Sequence, residues 1–496
     1  MRAKNAKAKK RNKKRLRTSV PSYRLKLVFG ILCLGLVGLL GRSAWLQVFT
    51  SGILESRARA FQTEKKRPLG MRRSILDRQG RLVALDEERY RIWAHPRYFS
   101  FPGDSSGTIR TPREVAKYLA NPLSKSEKEI LKDLGEYSSG VKLAEGLSEE
   151  IVDQIRRFGI SGLDFENYLE RVYPQGALFA NVVGFLDQER IPQAGLEQSL
   201  DKELIRKEKI STLRKGADGT PLPADLEAGV LQRDSMNLHL TLDVRLQEVA
   251  FKHITKQVRD WDAKKGVVIV MDIFNGELLA LSSTPSYDPN EYWEYSPALF
   301  KEWSVQELFE PGSTFKPINL ALALQEGVIT PEGTVNDNGL INVGGWPLSN
   351  WNKEPNGVLN YAEVLQVSSN VGMVKIMQKL NPSSYWDWMR RLGIDKRPET
   401  DLPGAVAGQL KSKETFVNQP IEPAVASFGQ GFSITPLKLA QLHALIANGG
   451  KLVTPHITRG VWSDVSPMPA SVYSGEEILS PEVTNIVLEW METVVD

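Results

Sequence analysis

Glu310-Pro311-Gly312-Ser313-Thr314-Phe315-Lys316-Pro317 is the stretch on which the reading of this 496-residue chain turns. It opens an apolar run (Ile318, Leu320, Ala321, Leu322, Ala323, Leu324) that stops at Gly327, and this pattern predicts a helix. Pro311-Gly312 turns the backbone just ahead of the serine, and Pro317 falls in the first helical turn, where a missing N–H costs little. A spacing of three puts Ser313 and Lys316 on one face of that turn. A serine hydroxyl is a weak nucleophile at its own pKa and needs an adjacent base. A lysine buried at a helix N-terminus, near the positive end of the dipole, gives up its proton more easily and can be that base. Ser-x-x-Lys recurs by chance in a chain this long, so the motif alone decides nothing.

Fifty-five residues on, Ser368-Ser369-Asn370 stands between two helical segments. The first, Asn360 to Val367, begins with an Asn…Glu capping box; the second begins near Val371 and carries Met373, Val374, Ile376 and Met377. Taken singly, Ser-Ser-Asn reads as a polar helix–helix turn. Taken together, Ser-x-x-Lys and Ser-x-Asn are two of the three signature elements of the penicilloyl-serine transferases, the third being Lys-Thr/Ser-Gly.

From here the chain resembles the class B penicillin-binding proteins, the peptidoglycan D,D-transpeptidases. Gly266 to Asp272 with Gly276 to Leu281 is similar to the two strands that begin their catalytic domain, and Pro285-Ser286-Tyr287-Asp288-Pro289-Asn290 follows as in that family. Phe428-Gly429-Gln430-Gly431, Thr435 to Gln441 and Ala447-Asn448-Gly449-Gly450 resemble the approach to the third motif. Upstream, Arg73 to Gly80, Tyr173-Pro174 through Gly184-Phe185, and Gly195-Leu196-Glu197 resemble the non-catalytic domain. The resemblance runs over roughly residues 65 to 496 and implies a mixed α/β protein: a transmembrane helix, an elongated α+β pedestal, and an α+β transpeptidase domain like that of serine β-lactamases. Lys-Thr-Gly and Lys-Ser-Gly are absent from the sequence, which stops at Asp496 just past Leu488 to Val495. The expectation is a catalytic domain truncated at its C-terminus and inactive in that form, the alternative being a natural pseudoenzyme.

Charge and hydropathy set the compartment. The first 26 residues hold twelve Lys or Arg and no acid; without them the chain has 51 basic against 59 acidic residues, a net −8. The basic balance therefore belongs to a tail, a topology signal, and not to a nucleic-acid surface. Leu27 to Leu40 is uncharged, and extension past Arg42 and Trp45 to Phe49 reaches the length of about 20 residues a membrane span needs. A long basic region and no small-x-small cleavage site favour an uncleaved anchor over a signal peptide, with the N-terminus cytoplasmic. Cys33, the one cysteine, lies inside the span, so the outer part has neither disulfides nor cysteine chemistry. The expected domains are a cytoplasmic tail (1–26), an anchor (27–49), a pedestal (50–235) with a boundary suggested by Lys215 to Pro223, and a transpeptidase domain (236–496).

The five histidines, His95, His239, His253, His443 and His456, lie in no motif and read as surface or packing residues. No His-Glu-x-x-His, Cys-x-x-Cys or phosphate-binding loop occurs, so no metal or cofactor is expected. The resemblance implies Ser313 as nucleophile on the D-Ala–D-Ala carbonyl of a peptidoglycan stem peptide, with Lys316 as its base. It implies Ser368 as proton relay to the leaving group. Asn370 would hold Lys316 and bind the donor peptide, and the Ser313 N–H would form half of the oxyanion hole. β-Lactam antibiotics would acylate the same serine. Ser368-Ser369-Asn370-Val371-Gly372 and Glu310 are similar to the division-specific septal type. The implied partners are then the membrane, a polytopic glycan polymerase and other division proteins. A β-lactamase or β-lactam sensor, and a non-catalytic division scaffold, remain as alternatives.

Overall fold

A computed structural model describes residues 22–48, 63–66, 71–99, 111–206, 211–214, 235–463 and 475–495. They fall into two compact units, one of residues 1–68 with 209–233 and one of residues 69–208 with 234–496. Most of the basic tail, Ser105-Ser106-Gly107 and the boundary stretch Lys215 to Pro223 lie outside the described residues.

In the first unit the helix Ser22–Val48 begins five residues before the expected Leu27, taking Arg24 and Lys26 into its polar end. Its segment Tyr23–Gln47 has a mean hydropathy of 2.0 over its most apolar window, none of which is buried. At 1.5 Å per residue it is roughly 37 Å long, enough to cross the ~30 Å hydrocarbon core of a bilayer. Thr63–Lys66 pairs antiparallel with Ser211–Arg214 in the same unit.

The second unit is organised by the 13-residue strand Leu82–Ala94. Leu163–Val172 pairs along it from Leu85↔Val172 to Ala94↔Leu163, and Val141–Leu147 pairs on its other side. The helices Pro112–Ala120 and Glu127–Glu136 start on capping boxes, Thr111 with Glu114 and Ser126 with Glu129, which satisfy N–H groups a helix start leaves open. With Glu149–Arg156 they bury Val115, Leu119, Ile130 and Ile155 against Ile92 and Leu143.

The sheet does not stop at the pedestal. Ile75–Leu76 pairs antiparallel with Leu82–Ala94 and parallel with Asn237–Leu240, which in turn pairs with Thr458–Trp462. One apolar core joins Ile75, Val83, Phe185 and Leu196 to Leu238, Leu281, Tyr287 and Leu437. Asp77, fully buried, accepts from Gln79 N and Arg81 N and from Val244 N, tying the Leu-Asp-Arg-Gln-Gly turn to the start of the helix Val244–Asp260. A buried ionic cluster lies on the pedestal side. Glu197 meets Arg72 at 2.9 Å and Arg171 at 2.7 Å, and Arg171 and Arg190 reach Asp86 at 3.2 and 2.7 Å.

Beyond the hairpin Gly266–Met271/Leu278–Thr284, the C-terminal half is mainly helical, with short paired strands such as Thr334–Asp337 with Gly357–Asn360 between the helices. Lys316–Gln325 is buried from Lys316 to Ala323 on all its faces, as a helix that is apolar all round must be. Tyr361–Gln366, Asn370–Met377, Pro382–Arg391, Pro436–Ala447 and Pro481–Glu492 supply residues to the core around it.

Candidate active site

Ser313 does not lie on the helix it was expected to open but in a 3-10 turn, Gly312–Phe315, directly before it. The Lys316 N–H bonds back to Ser313 O, and Pro317 has no N–H to give, so the wider helical pattern starts after them. The turn is held from behind. Gly312 N donates to Gly429 O at 2.9 Å, and a Cβ on Gly429, whose φ is +80°, would lie 2.0 Å from Gly312 O. Only glycine permits this approach, a physical reason for the Phe-Gly-Gln-Gly stretch. Phe315 packs edge-on against Phe432 with centroids 4.8 Å apart. One turn on, buried Asn319 donates to Ala426 O and Ser427 O and accepts from Tyr385 Oη.

The second motif is a turn between two short helices. Asn360 and Glu363 form the expected capping box on Tyr361–Gln366. Ser368 follows with φ +52°, a region a non-glycine residue occupies at a cost of about 1–3 kcal/mol when its surroundings enforce it. Ser369 caps the next helix, Asn370–Met377, by accepting from Gly372 N.

The fold brings all four motif residues together. Lys316, 1% exposed, points its Nζ at Ser368 O (2.6 Å), Ser368 Oγ (3.0 Å) and Asn370 Oδ1 (2.9 Å). Ser368 Oγ lies 3.0 Å from Ser313 Oγ. Ser313 is thus linked to the amine through Ser368 rather than by a direct hydrogen bond. Burial pushes the Lys316 pKa down to about 7, against an opposing pull from Asp337. As a neutral amine, its two N–H groups suit the two pure acceptors, Ser368 O and Asn370 Oδ1, which leaves the lone pair for the Ser368 hydroxyl.

Three further residues belong to this site, and no local pattern marked them. Asn350 Oδ1 accepts from Asn370 N and Val371 N, and Asp337 Oδ2 accepts from Ser369 Oγ. His443 Nε2 donates to Thr314 O at 2.9 Å, between Ser313 and Lys316 in the turn, with its pKa lowered by burial. The other histidines are placed elsewhere: His95 beside Asp164, His239 stacked on Trp462, His456 against Thr454 O, and His253 on the helix Val244–Asp260.

Residues 266–496 match the penicillin binding protein transpeptidase domain, and residues 69–233 match the penicillin-binding protein dimerisation domain. A peptidoglycan D,D-transpeptidase FtsI homolog of Chlorokybus atmophyticus is 36% identical over 449 residues, covering 88% of this chain and 65% of that protein. The chain therefore spans just under two thirds of that relative's length. A like-named protein of Mesostigma viride is 34% identical over 496 residues, covering 95% and 81%. Peptidoglycan D,D-transpeptidase FtsI of Escherichia coli K12 is 29% identical over 496 residues, covering 99% and 80%. Among solved structures, penicillin binding protein 3 of Mycobacterium tuberculosis in complex with aztreonam superposes with a TM-score of 0.62 at 20% identity, covering 88% of this chain and 76% of that one; at that identity the likeness is one of fold.

Proposed function

The chain belongs to the penicillin-binding protein transpeptidases, and on that premise we propose that it is a membrane-anchored D,D-transpeptidase that cross-links peptidoglycan stem peptides at the division septum. The observation that carries this reading is the hydrogen-bonded line from Ser313 Oγ through Ser368 Oγ to a buried Lys316 amine steadied by Asn370. Ser313 Oγ attacks the carbonyl of the penultimate D-alanine. Its proton passes by way of Ser368 to Lys316, and the Ser313 N–H supplies one of the donors to the oxyanion. As the D-Ala–D-Ala amide bond breaks, the proton moves back through Ser368 onto the leaving amine of D-alanine, and an ester on Ser313 remains. The amine of a second stem peptide then attacks that ester, forms the cross-linking amide and frees Ser313. A β-lactam enters the same path, but its leaving amine stays tethered to the acyl group.

The apolar helix is assigned as a single anchor with the N-terminus inside. Septal partners, a separate glycan polymerase among them, belong to the same proposal, which the likeness to FtsI-type relatives supports.

The test is labelling with a fluorescent penicillin in membranes of cells carrying the gene. Wild-type protein expressed with its third motif, Lys-Thr/Ser-Gly, is expected to label covalently and Ser313→Ala in the same background to stay dark. Equal labelling of the two would remove Ser313 as nucleophile.

A further inference from the structure

Asp337 ends the strand Thr334–Asp337 and has no exposed surface. Its Oδ2 accepts from Asn356 Nδ2 at 2.6 Å, Ser369 Oγ at 2.7 Å and Asn350 Nδ2 at 2.8 Å. Its Oδ1 accepts from Gly339 N at 2.8 Å and the same Asn350 amide at 3.0 Å. Every one of these donors is neutral. Two of them lead straight to the reacting turn. Ser369, its hydroxyl proton committed to Asp337, presents a lone pair to Gly372 N at 2.8 Å. Asn350, its amide committed to Asp337, presents Oδ1 to Asn370 N at 3.0 Å and Val371 N at 3.2 Å. The N–H groups of Asn370, Val371 and Gly372, which open the helix Asn370–Met377, are thus held by side chains that one carboxylate orients. The same turn keeps Ser368 at φ +52°.

Resting on the acyl-transfer reading, we propose that Asp337 is a positioning residue for the reaction: it locks the turn bearing Ser368 and Asn370 against Lys316, and it holds a buried negative charge joined to the Lys316 amine by hydrogen bonds through Asn350 and Asn370. Burial raises the pKa of the Asp337 carboxyl, but the bonds from Asn356, Ser369, Gly339 and Asn350 outweigh it and keep the group below the usual range. Asp337 is also what opposes burial at Lys316. The other charged or titratable groups facing this region are Lys375, whose Nζ is spent on Asn336 O, Lys353 and Glu354 on the loop that carries Asn350, and His443 against Thr314 O. An acceptor-only carboxylate suits the clamp, because an asparagine there would point an N–H₂ group at other donors.

The rate of acylation by a fluorescent penicillin, followed over roughly pH 5.5–9 in membranes, tests this. Asp337→Asn is expected to slow acylation by roughly 10- to 100-fold, the scale of lost buried hydrogen bonds to a charge. The midpoint of its rise with pH is also expected to shift downward, because the amine loses the charge that favours its ammonium form. Ser369→Ala removes one strut and keeps the charge, so it should lower the rate and leave the midpoint in place. A merely structural carboxylate would lower the rate without moving the midpoint, and that result overturns the electrostatic role. If Asp337→Asn does not accumulate, Ser369→Ala decides: wild-type rate in that variant overturns the clamp. Ser313→Ala separates the two levels. Labelling of that variant sinks acyl transfer itself, whereas a dark Ser313→Ala beside a wild-type Asp337→Asn sinks only the clamp.

Discussion

Two sets of buried charges sit in the same compact unit and are treated in opposite ways. On the pedestal side, Arg72, Arg171, Glu197 and Asp86 neutralise one another, with the Arg171 and Glu197 side chains 2% and 0% exposed. In the catalytic half, Lys316 is buried as deeply but touches only a carbonyl, a hydroxyl and an amide oxygen. At Arg171 burial works against the charge, yet Glu197, Tyr173 and Asp86 together carry the pKa above its ordinary value. At Lys316 burial wins. Paired buried charge is a fastening. A buried amine with no counter-ion in contact is, on the acyl-transfer proposal, a base held in readiness beside Ser313.

The largest effect expected from breaking this contrast is on rate. Lys316→Met keeps an apolar chain of similar length and removes the amine. Penicillin acylation should fall by roughly 100- to 10,000-fold, the contribution of a positioned base, while the thermal midpoint should not fall. The sign follows from the pKa: the folded chain holds the lysine proton less tightly than the unfolded chain. The destabilisation from burying that proton is therefore full below about pH 7 and disappears as pH rises to the ordinary lysine range. Met removes that cost. In the wild type, acylation should climb through a midpoint near pH 7, because the base works only when deprotonated. A variant that labels at the wild-type rate, or a wild-type rate that is flat across neutral pH, would show that Lys316 is not the base.

The next effect is on stability and should leave the chemistry alone. Glu197→Gln strips the shared anion from Arg72 and Arg171, both buried. Breaking such a cluster from one side costs about 3–5 kcal/mol. Chemical denaturation should report the loss, while the acylation rate per folded molecule and its pH midpoint stay as in the wild type. A shift of the midpoint would mean that the two charge sets are coupled.

The same two regions mark how far a sequence can be read. Ser313, Lys316, Ser368 and Asn370 could be picked out because two short local motifs together resemble one family's signature; neither motif decided anything alone, and the fold brings the four side chains together. The apolar helix Ser22–Val48 was legible from its run of uncharged residues. The helix that follows Ser313 and the two on either side of Ser368 were expected from apolar runs and a capping box, to within a few residues at their ends. Asp337, 31 residues ahead of Ser368, and His443, 129 after Thr314, left no such mark. Only tertiary packing brings them to the turn, and an aspartate ending a strand or a histidine within a helix has no spacing that announces it. The paired cluster was half visible. Glu197 stands in a Gly-Leu-Glu stretch that resembled the family, but Asp86 and Arg171 meet because they are direct cross-strand partners, and register across 85 residues is not written in either strand alone. The continuous sheet through Ile75 and Leu238 was hidden for the same reason.

The smallest expected effect sharpens the contrast from inside the paired cluster. Arg190 reaches Asp86 Oδ2 at 2.7 Å and Leu169 O at 2.9 Å, but its side chain is 27% exposed. Asp86 also binds Arg171, and its Oδ2 accepts from Arg72 N at 2.8 Å. Arg190→Gln therefore leaves the carboxylate neutralised and admits water where the guanidinium stood. Glutamine keeps an N–H₂ group for one of the two acceptors and places no new side chain in the buried part. A partly exposed ion pair is worth about 1 kcal/mol or less, so the loss in chemical denaturation should be of that size, several-fold below Glu197→Gln, with acylation unchanged. The difference between these two variants measures burial rather than charge number, since each removes one charge from the same cluster. If Arg190→Gln costs as much as Glu197→Gln, the cluster's strength lies in its count of ion pairs and not in the depth at which they are held. The distinction drawn between a fastening and a waiting base would then rest on Lys316 alone.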